Sequence, residues 1–255
     1  MLKRFLLAIL LFAAAGRAAA VDYTDIWFLP AESGWGVNVV QSDNFLFITF
    51  FIYGADGKPT WYTGQVNLDA SGNYNGTLYA TTGTYYISPW APGSLTNTAV
   101  GIVSFQPTGP TTAKLVYAVN NTGTVTKLIQ RQTLQVITLG GVYSGAEIGT
   151  YSGCANNISY NNFFDMQITQ LASGNVTFTV NYPDVSSFSC TFSGTLVQQG
   201  QLYSVPGATY QCTGQPNTTA TMTEIKATAQ GVEGKFSATI SGACKVSAVF
   251  SGVLN

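Results

Sequence analysis

The sequence predicts an all-β protein with minimal helix. Short runs of β-branched and aromatic residues recur along the chain, and Gly, Asn, Asp or Ser interrupts them about every ten positions. Val176, Phe178 and Val180 alternate with polar residues, which is typical of a strand with one face in water. Beyond the N-terminal segment, no amphipathic helical window of useful length occurs.

The first half of the chain predicts an antiparallel meander. Its strands are expected at 34–41, 45–53, 60–68, 74–81, 99–105, 113–119 and 124–131. The breaks between most of them are short and rich in turn-forming residues, such as Ser42-Asp43-Asn44 and Ala70-Ser71-Gly72-Asn73. Connections of this length join antiparallel neighbours.

The segment Phe45–Tyr53 is apolar on both of its alternating faces. A strand of this kind is an aggregation hazard when exposed, so we expect it to be covered on both sides in the middle of its domain. Closing the sheet into a β-barrel removes exposed edges, which favours that architecture.

The second half repeats this pattern. Its strands are expected at 163–171, 176–182, 187–197, 202–212, 220–229, 234–240 and 245–254. A glycine recurs inside three strands, at Gly76, Gly194 and Gly252, and predicts strongly coiled sheets or barrels in both halves. We place a boundary after residue 138, which predicts two β domains, 21–138 and 139–255, in preference to one sandwich.

The N-terminus has the features of a secretory signal peptide. Met1-Leu2-Lys3-Arg4 is basic, an apolar run follows, and Ala18-Ala19-Ala20 suits cleavage after residue 20. The apolar run is shorter than the about 20 residues that span a bilayer. We therefore predict signal peptide 1–20 and an exported protein, periplasmic or extracellular, with no membrane span after processing. Many strands are too short for an outer-membrane barrel.

Charge and residue usage exclude several classes of function. Three of the ten basic residues (Lys3, Arg4 and Arg17) lie in the signal peptide, which leaves seven against eleven acidic residues. This balance argues against a nucleic-acid partner. The chain has no histidine, which excludes His-based triads. No nucleotide-binding motif appears, and no cofactor is expected.

The four cysteines, Cys154, Cys190, Cys212 and Cys244, all lie in the second half. In an exported protein they predict two disulfides. A metal site is not expected, because the chain lacks both histidine and a C-x-x-C pair. Cys190 and Cys212 flank a predicted hairpin at residues 198–201, which favours Cys190–Cys212 and Cys154–Cys244, although spacing alone leaves other pairings open.

Carboxylates are the remaining candidates for acid–base chemistry, and a glycosidase needs only two that face each other. The mature chain has Asp22, Asp25, Glu32, Asp43, Asp56, Asp69, Glu147, Asp165, Asp184, Glu224 and Glu233. Turn capping explains Asp43, Asp56 and Asp69. Glu32 lies close to Trp35, where a structural role is the simpler interpretation.

The segment 82–95, here called the aromatic loop, is the best candidate for a binding surface. It carries Tyr85, Tyr86 and Trp90, and Pro89 and Pro92 stiffen it. Rigid aromatic residues on a loop suit a sugar or an apolar ligand. The alternative is that Trp90 covers the core. Trp61 and Tyr62 point to opposite faces of one strand, so one of them is a candidate for lining a pocket.

Two resemblances to known proteins bear on the fold, the first on the first half of the chain and the second on most of the chain. Ser33-Gly34-Trp35-Gly36 is similar to the first-strand Trp element of lipocalin-like and avidin-like barrels, in which a basic residue of the last strand packs over the Trp. By that analogy Arg131 stacks on Trp35 and pairs with Glu32. The glycine spacing and strand lengths differ from the lipocalin pattern, and the analogy transfers no function.

A second resemblance is carried by Glu32-Ser-Gly-Trp-Gly-Val-Asn38 and Tyr53-Gly-Ala-Asp-Gly-Lys-Pro-Thr-Trp-Tyr62. These motifs resemble those of a group of uncharacterised secreted bacterial proteins. The resemblance implies export and β structure, and it implies no substrate.

We therefore expect an exported, non-enzymatic binding protein whose first-domain aromatics contact a saccharide or a small apolar ligand. The alternatives are a carboxylate-dependent glycan hydrolase and a structural or assembly protein of the cell envelope, with another envelope protein as partner. An open aromatic pocket favours binding, convergent carboxylates favour the hydrolase, and a flat apolar patch favours assembly.

Overall fold

The computed structural model describes residues 21–120, 122–184 and 187–255, and the predicted signal peptide, 1–20, lies outside them. The described residues form seventeen strands and two short 3-10 helices, Pro30–Glu32 and Pro92–Ser94. The all-β prediction is thus confirmed. In this part of the chain neither helix has the length and apolarity needed to cross a membrane.

The first eight strands form a closed antiparallel barrel in sequence order, because β1 pairs with both β2 and β8. We call it the N-terminal barrel. Its strands are β1 (Asp25–Phe28), β2 (Gly36–Ser42), β3 (Phe45–Tyr53), β4 (Pro59–Leu68), β5 (Tyr74–Thr82), β6 (Thr96–Pro107), β7 (Thr112–Val119) and β8 (Val125–Arg131).

The remaining nine strands form the C-terminal sheet, in the order β12-β11-β10-β9-β17-β16-β15-β14-β13. An additional pairing of β12 with β14 joins the two arms of this sheet, so its inner face encloses a core. The strands are β9 (Gly141–Ser152), β10 (Ser159–Gln170), β11 (Asn175–Asn181), β12 (Ser189–Thr195), β13 (Val197–Gln199), β14 (Leu202–Cys212), β15 (Thr218–Ala227), β16 (Gly231–Ser241) and β17 (Cys244–Leu254).

Strand β3 shows how the apolar pattern is used in the barrel. Leu46, Ile48 and Phe50 point inwards and are fully buried. Phe47 and Phe51, on the opposite face, are 37% and 54% exposed. The expectation that both faces are covered is therefore wrong for the outer face, which leaves aromatic side chains in water.

The sequence missed three strands, β1, β9 and the three-residue β13, which falls largely in the hairpin predicted at 198–201. Strand β1 has four residues, too few to show an alternation. Strand β9 contains Gly141, Gly145 and Gly149, which resemble turn punctuation. A Cβ at Gly149 would lie 2.6 Å from the Tyr160 ring, so this glycine makes room for an aromatic side chain rather than a turn.

The segment between β8 and β9, residues 132–140, packs on the C-terminal sheet. The Tyr203 hydroxyl donates to the Ile137 carbonyl and accepts from the Ile137 N–H, both at 2.8 Å. Leu139 is fully buried in the C-terminal core. The predicted boundary after residue 138 falls in this segment, and the division into two domains stays a prediction.

Arg131 corrects an expectation drawn from the lipocalin-like analogy. Its guanidinium lies over Trp27, 5.0 Å from the ring centroid, and not over Trp35. Its ion-pair partner is Asp25, at 3.0 Å, and not Glu32. The reason is strand β1, which the sequence did not reveal, because its Trp27 lies directly opposite Arg131 in the β1–β8 register.

The Arg131 side chain is 2% exposed, and its donors are nevertheless satisfied. Nε donates to the Pro110 carbonyl at 2.8 Å, and Nη1 donates to the Thr24 carbonyl at 3.1 Å. Nη2 donates to the Asp22 carbonyl. The Arg131 side chain therefore connects three segments: the residues that precede β1, the β6–β7 turn and the end of β8.

The disulfides are Cys190–Cys212 and Cys154–Cys244, so all four cysteines are bonded. Cys190 and Cys212 are directly opposite in the β12–β14 register. Cys154 follows β9 and Cys244 begins β17, the strand next to β9. The first bond thus reinforces the β12–β14 pairing that joins the two arms of the sheet, and the second reinforces the β9–β17 pairing in its middle.

We predict that Arg131→Met lowers the free energy of unfolding by about 3–5 kcal/mol, because removing one member of a buried ion pair leaves Asp25 charged and unpaired. Chemical denaturation of the oxidised mature protein measures this loss. Lys127→Met is the control, since its ion pair with Glu32 is partly exposed and surface ion pairs contribute little to stability. Equal losses in the two variants would contradict the central role of Arg131.

Candidate functional site

The aromatic loop joins β5 to β6, and its aromatic side chains project into solvent. Tyr86 is 87% exposed and Trp90 is 67% exposed. Trp90 therefore does not cover the core. Tyr85 is also exposed, and its ring contacts that of Tyr86 edge-on, with centroids 4.9 Å apart.

Hydrogen bonds within the loop hold this arrangement. The Thr84 hydroxyl accepts the Ala91 N–H at 2.9 Å and lies 2.8 Å from the Ser94 hydroxyl. A turn is closed by the Ser88 N–H, which donates to the Tyr85 carbonyl at 2.9 Å. The aromatic side chains are thus presented by an internally bonded loop, which reduces the conformational entropy lost when a ligand binds.

Trp61 and Tyr62 do lie on opposite faces of β4. Tyr62 packs against the barrel core, whereas Trp61 is exposed on the outside. Trp61 is directly opposite Phe51 in the β3–β4 register. Together, the exposed side chains of β3 and β4 form an outer aromatic wall, which consists of Phe47, Phe51, Tyr53 and Trp61.

Glu32 and Trp35 form a surface cluster with Lys127. Lys127 Nζ lies 2.7 Å from Glu32 Oε2, and the Trp35 indole N–H donates to the same oxygen at 3.1 Å. Lys127 also lies over the Trp35 ring, 5.8 Å from its centroid. The hydrogen bond from Lys127 lowers the pKa of Glu32, so this carboxylate stays ionised and joins the β1–β2 connection to β8.

A cleft of about 500 Å³ lies between one end of the N-terminal barrel and the outer face of the C-terminal sheet. Asp25 and Arg131 line it on one side, and Glu224, Glu233 and Lys235 on the other. Sequence reasoning missed it because seven strands, drawn from both sheets, contribute to it. One available signal was the concentration of four charged residues within positions 224–235 of a chain that is only 8% charged.

Glu147 is a buried carboxylate on the inner face of the C-terminal sheet, 4% exposed. The Tyr182 hydroxyl donates to its Oε1 at 3.0 Å, and Tyr160 and Asn162 also hydrogen-bond to it. Burial raises the pKa of Glu147, and these hydrogen bonds only partly offset that rise. Burial and the neighbouring Glu147 carboxylate raise the pKa values of Tyr160 and Tyr182.

No family model and no curated protein matches the chain. A DUF3598-family protein of unknown function from Nostoc punctiforme is 8% identical with a TM-score of 0.28, covering 90% of this chain and 93% of that chain. The isotype 1 transferrin-binding protein B of serogroup B Neisseria meningitidis is 13% identical with a TM-score of 0.32. That match covers 87% of this chain and 52% of the Neisseria chain. These similarities are too low to carry an argument, and the barrel description rests on the strand pairings.

We predict that Glu147→Gln removes a pH-dependent loss of stability. Below pH 4.5, the ordinary Glu pKa, the carboxyl is protonated in both folded and unfolded chains. Above it the unfolded chain releases the proton first, so the wild type loses stability as pH rises towards the raised folded pKa. Urea denaturation across this range measures the effect, with exposed Glu233→Gln as control. An unchanged pH slope in Glu147→Gln would refute the assignment.

Proposed function

We propose that the protein is an exported, non-enzymatic binding protein and that its aromatic loop contacts the ligand. The observation that carries the proposal is the exposure of Tyr85, Tyr86 and Trp90 on an internally hydrogen-bonded loop. Exposed aromatic side chains on a preorganised loop are costly to maintain in water unless another molecule covers them.

A saccharide is the ligand class that we favour for this surface. Small apolar ligands are usually enclosed by concave apolar pockets. The interior of the N-terminal barrel instead contains large, fully buried side chains, among them Trp27, Phe50 and Phe105. Tyr and Trp on a protruding loop offer ring faces to the C–H groups of a sugar and polar atoms to its hydroxyls.

Export is supported by two independent features. The N-terminal twenty residues have the composition of a signal peptide. The two disulfides fit an oxidising compartment, since such bonds are rare in the cytosol. A binding surface on the N-terminal barrel would then face the periplasm or the medium.

The glycan hydrolase is less well supported, although the cleft does bring carboxylates together. A glycosidase acid is kept protonated by apolar surroundings. Asp25 and Glu224, in contrast, lie at 3.0 Å from Arg131 and 2.8 Å from Lys235. Among the described residues, no group of three or more Cys, Asp or Glu side chains could hold a metal ion.

We predict that the mature protein binds a neutral oligosaccharide and that Trp90→Ala weakens this binding about tenfold or more, as removal of an aromatic anchor does. Calorimetric titration against oligosaccharides of glucose and of N-acetylglucosamine, with phospholipid vesicles alongside, measures it. Leu128→Ala is the matched control, because Leu128 is as exposed as Trp90 but lies on β8. Binding that Trp90→Ala leaves unchanged would refute the assignment to this loop.

An assembly role is the second candidate, and the outer aromatic wall favours it. Four aromatic side chains project from neighbouring strands, and Phe51 and Trp61 are direct cross-strand neighbours. A contiguous apolar patch of this kind commonly marks a protein–protein contact.

If the wall mediates assembly between copies of this chain, sedimentation velocity should show concentration-dependent association of the wild type. Phe51→Lys should abolish that association, because it places a charge at the centre of the contact. Ile102→Lys, at an exposed position of β6, is the control. A wild type that stays monomeric at all concentrations would exclude self-assembly through the wall.

A further inference from the structure

The cleft between the two sheets is built differently from the aromatic loop, and its chemistry indicates a second ligand. Its volume of about 500 Å³ lies within the range of small-molecule sites. One side is formed by Asp22, Thr24, Asp25 and Arg131, and the other by the outer face of β14 to β17 and β9. Some charged side chains of the cleft form ion pairs with each other, and others are exposed and could contact a ligand.

Two cross-strand rows form the wall that the C-terminal sheet contributes. In the first row Ile148, Val249 and Lys235 are successive neighbours across β9, β17 and β16. The second row follows the same strands and ends on β15; it consists of Ala146, Ser251, Glu233 and Lys226. Each row is therefore uncharged on β9 and β17 and becomes charged on β16.

A β-bulge adds one more charge to this wall. The β15–β16 register shifts between Thr223 and Lys226, and Glu224 lies in the shift with φ +51°. Positive φ is uncommon for a residue with a side chain, and bulges often redirect a side chain at a functional site. Glu224 pairs with Lys235 at 2.8 Å.

Four charged side chains of the cleft thus form two ion pairs, Asp25 with Arg131 and Glu224 with Lys235. Glu233 and Lys226 are different, because both side chains are exposed and lie directly opposite each other on β16 and β15. A carboxylate and an ammonium group therefore face the cleft beside the apolar side chains of Ile148, 63% exposed, and Val249, 38% exposed.

We propose that this cleft binds a small zwitterion with an apolar body, an apolar α-amino acid or a dipeptide of such residues. The ligand ammonium group pairs with Glu233 and its carboxylate pairs with Lys226. Its apolar side chain covers Ile148 and Val249, which removes their exposed surface from water. A ligand with a single charge satisfies only one of the two ionic groups, so the wall discriminates by charge as well as by shape.

Calorimetric titration of the oxidised mature protein with L-leucyl-L-leucine tests the proposal. We expect saturable binding that weakens about tenfold or more for each of three analogues, since each lacks one of the three recognised features. Glycylglycine lacks the apolar body, L-leucyl-L-leucinamide lacks the carboxylate, and N-acetyl-L-leucyl-L-leucine lacks the ammonium group. Lack of saturable binding up to about 10 mM, or equal binding of all four compounds, would overturn the proposal.

Glu233→Gln and Lys226→Gln should each weaken leucyl-leucine binding about tenfold or more. Both positions are exposed, so these variants should fold, which thermal melting verifies. Glu32→Gln is the control, because Glu32 lies outside the cleft in the cluster with Trp35 and Lys127. The methyl resonances of Ile148 and Val249 should shift on binding. Unchanged affinity in both cleft variants, or unmoved methyl resonances, would overturn the assignment to this cleft.

Discussion

The buried guanidinium of Arg131 is the interaction on which the arrangement of the chain depends. A cation that is 2% exposed must have its donors satisfied, and Arg131 bonds Asp25 together with backbone carbonyls of the N-terminal segment and the β6–β7 turn. These bonds seal the barrel where its first and last strands meet. Gly200 of the β13–β14 hairpin approaches the same side chain so closely that a Cβ there would lie 2.3 Å from the Arg131 Cβ. The junction of the two sheets therefore rests on the same residue.

The position of Arg131 at one end of the barrel separates the two candidate sites, the aromatic loop and the cleft. In an up-and-down barrel successive turns alternate between the two ends, so the β5–β6 loop lies opposite the end at which β8 finishes with Arg131. The Arg131 end is occupied by the C-terminal sheet, and the cleft forms along that contact. The aromatic loop, carrying Trp90, is left at the free end, where its size is not limited by packing. Each site therefore has its own access to solvent.

The sequence predicted strands well where hydrophobic patterning was long and uninterrupted. The expected bounds of β3 (Phe45–Tyr53) and β14 (Leu202–Cys212) are those of the structure. It failed where tertiary contacts decide the residue type, as in β9, whose glycines admit the Tyr160 ring and neighbouring backbone. The missing β1 also explains the wrong partner for Arg131, since no expected strand placed Trp27 beside it. In the candidate sites, the sequence indicated the aromatic side chains of the loop. The cleft depends on how seven strands of two sheets are brought together, which spacing does not reveal.

Closure of the N-terminal barrel leaves aromatic side chains of β3 and β4 exposed on its outer face. Closure of the barrel pairs every strand edge, which removes the route to edge-to-edge aggregation. It does not cover the outer face, where Phe47, Phe51 and Trp61 remain in water. A chain with a polar residue at any of these positions should still fold, because none of the three side chains belongs to the barrel core. The packing of the barrel core therefore does not account for the aromatic character of the outer wall, whereas the assembly contact proposed above would.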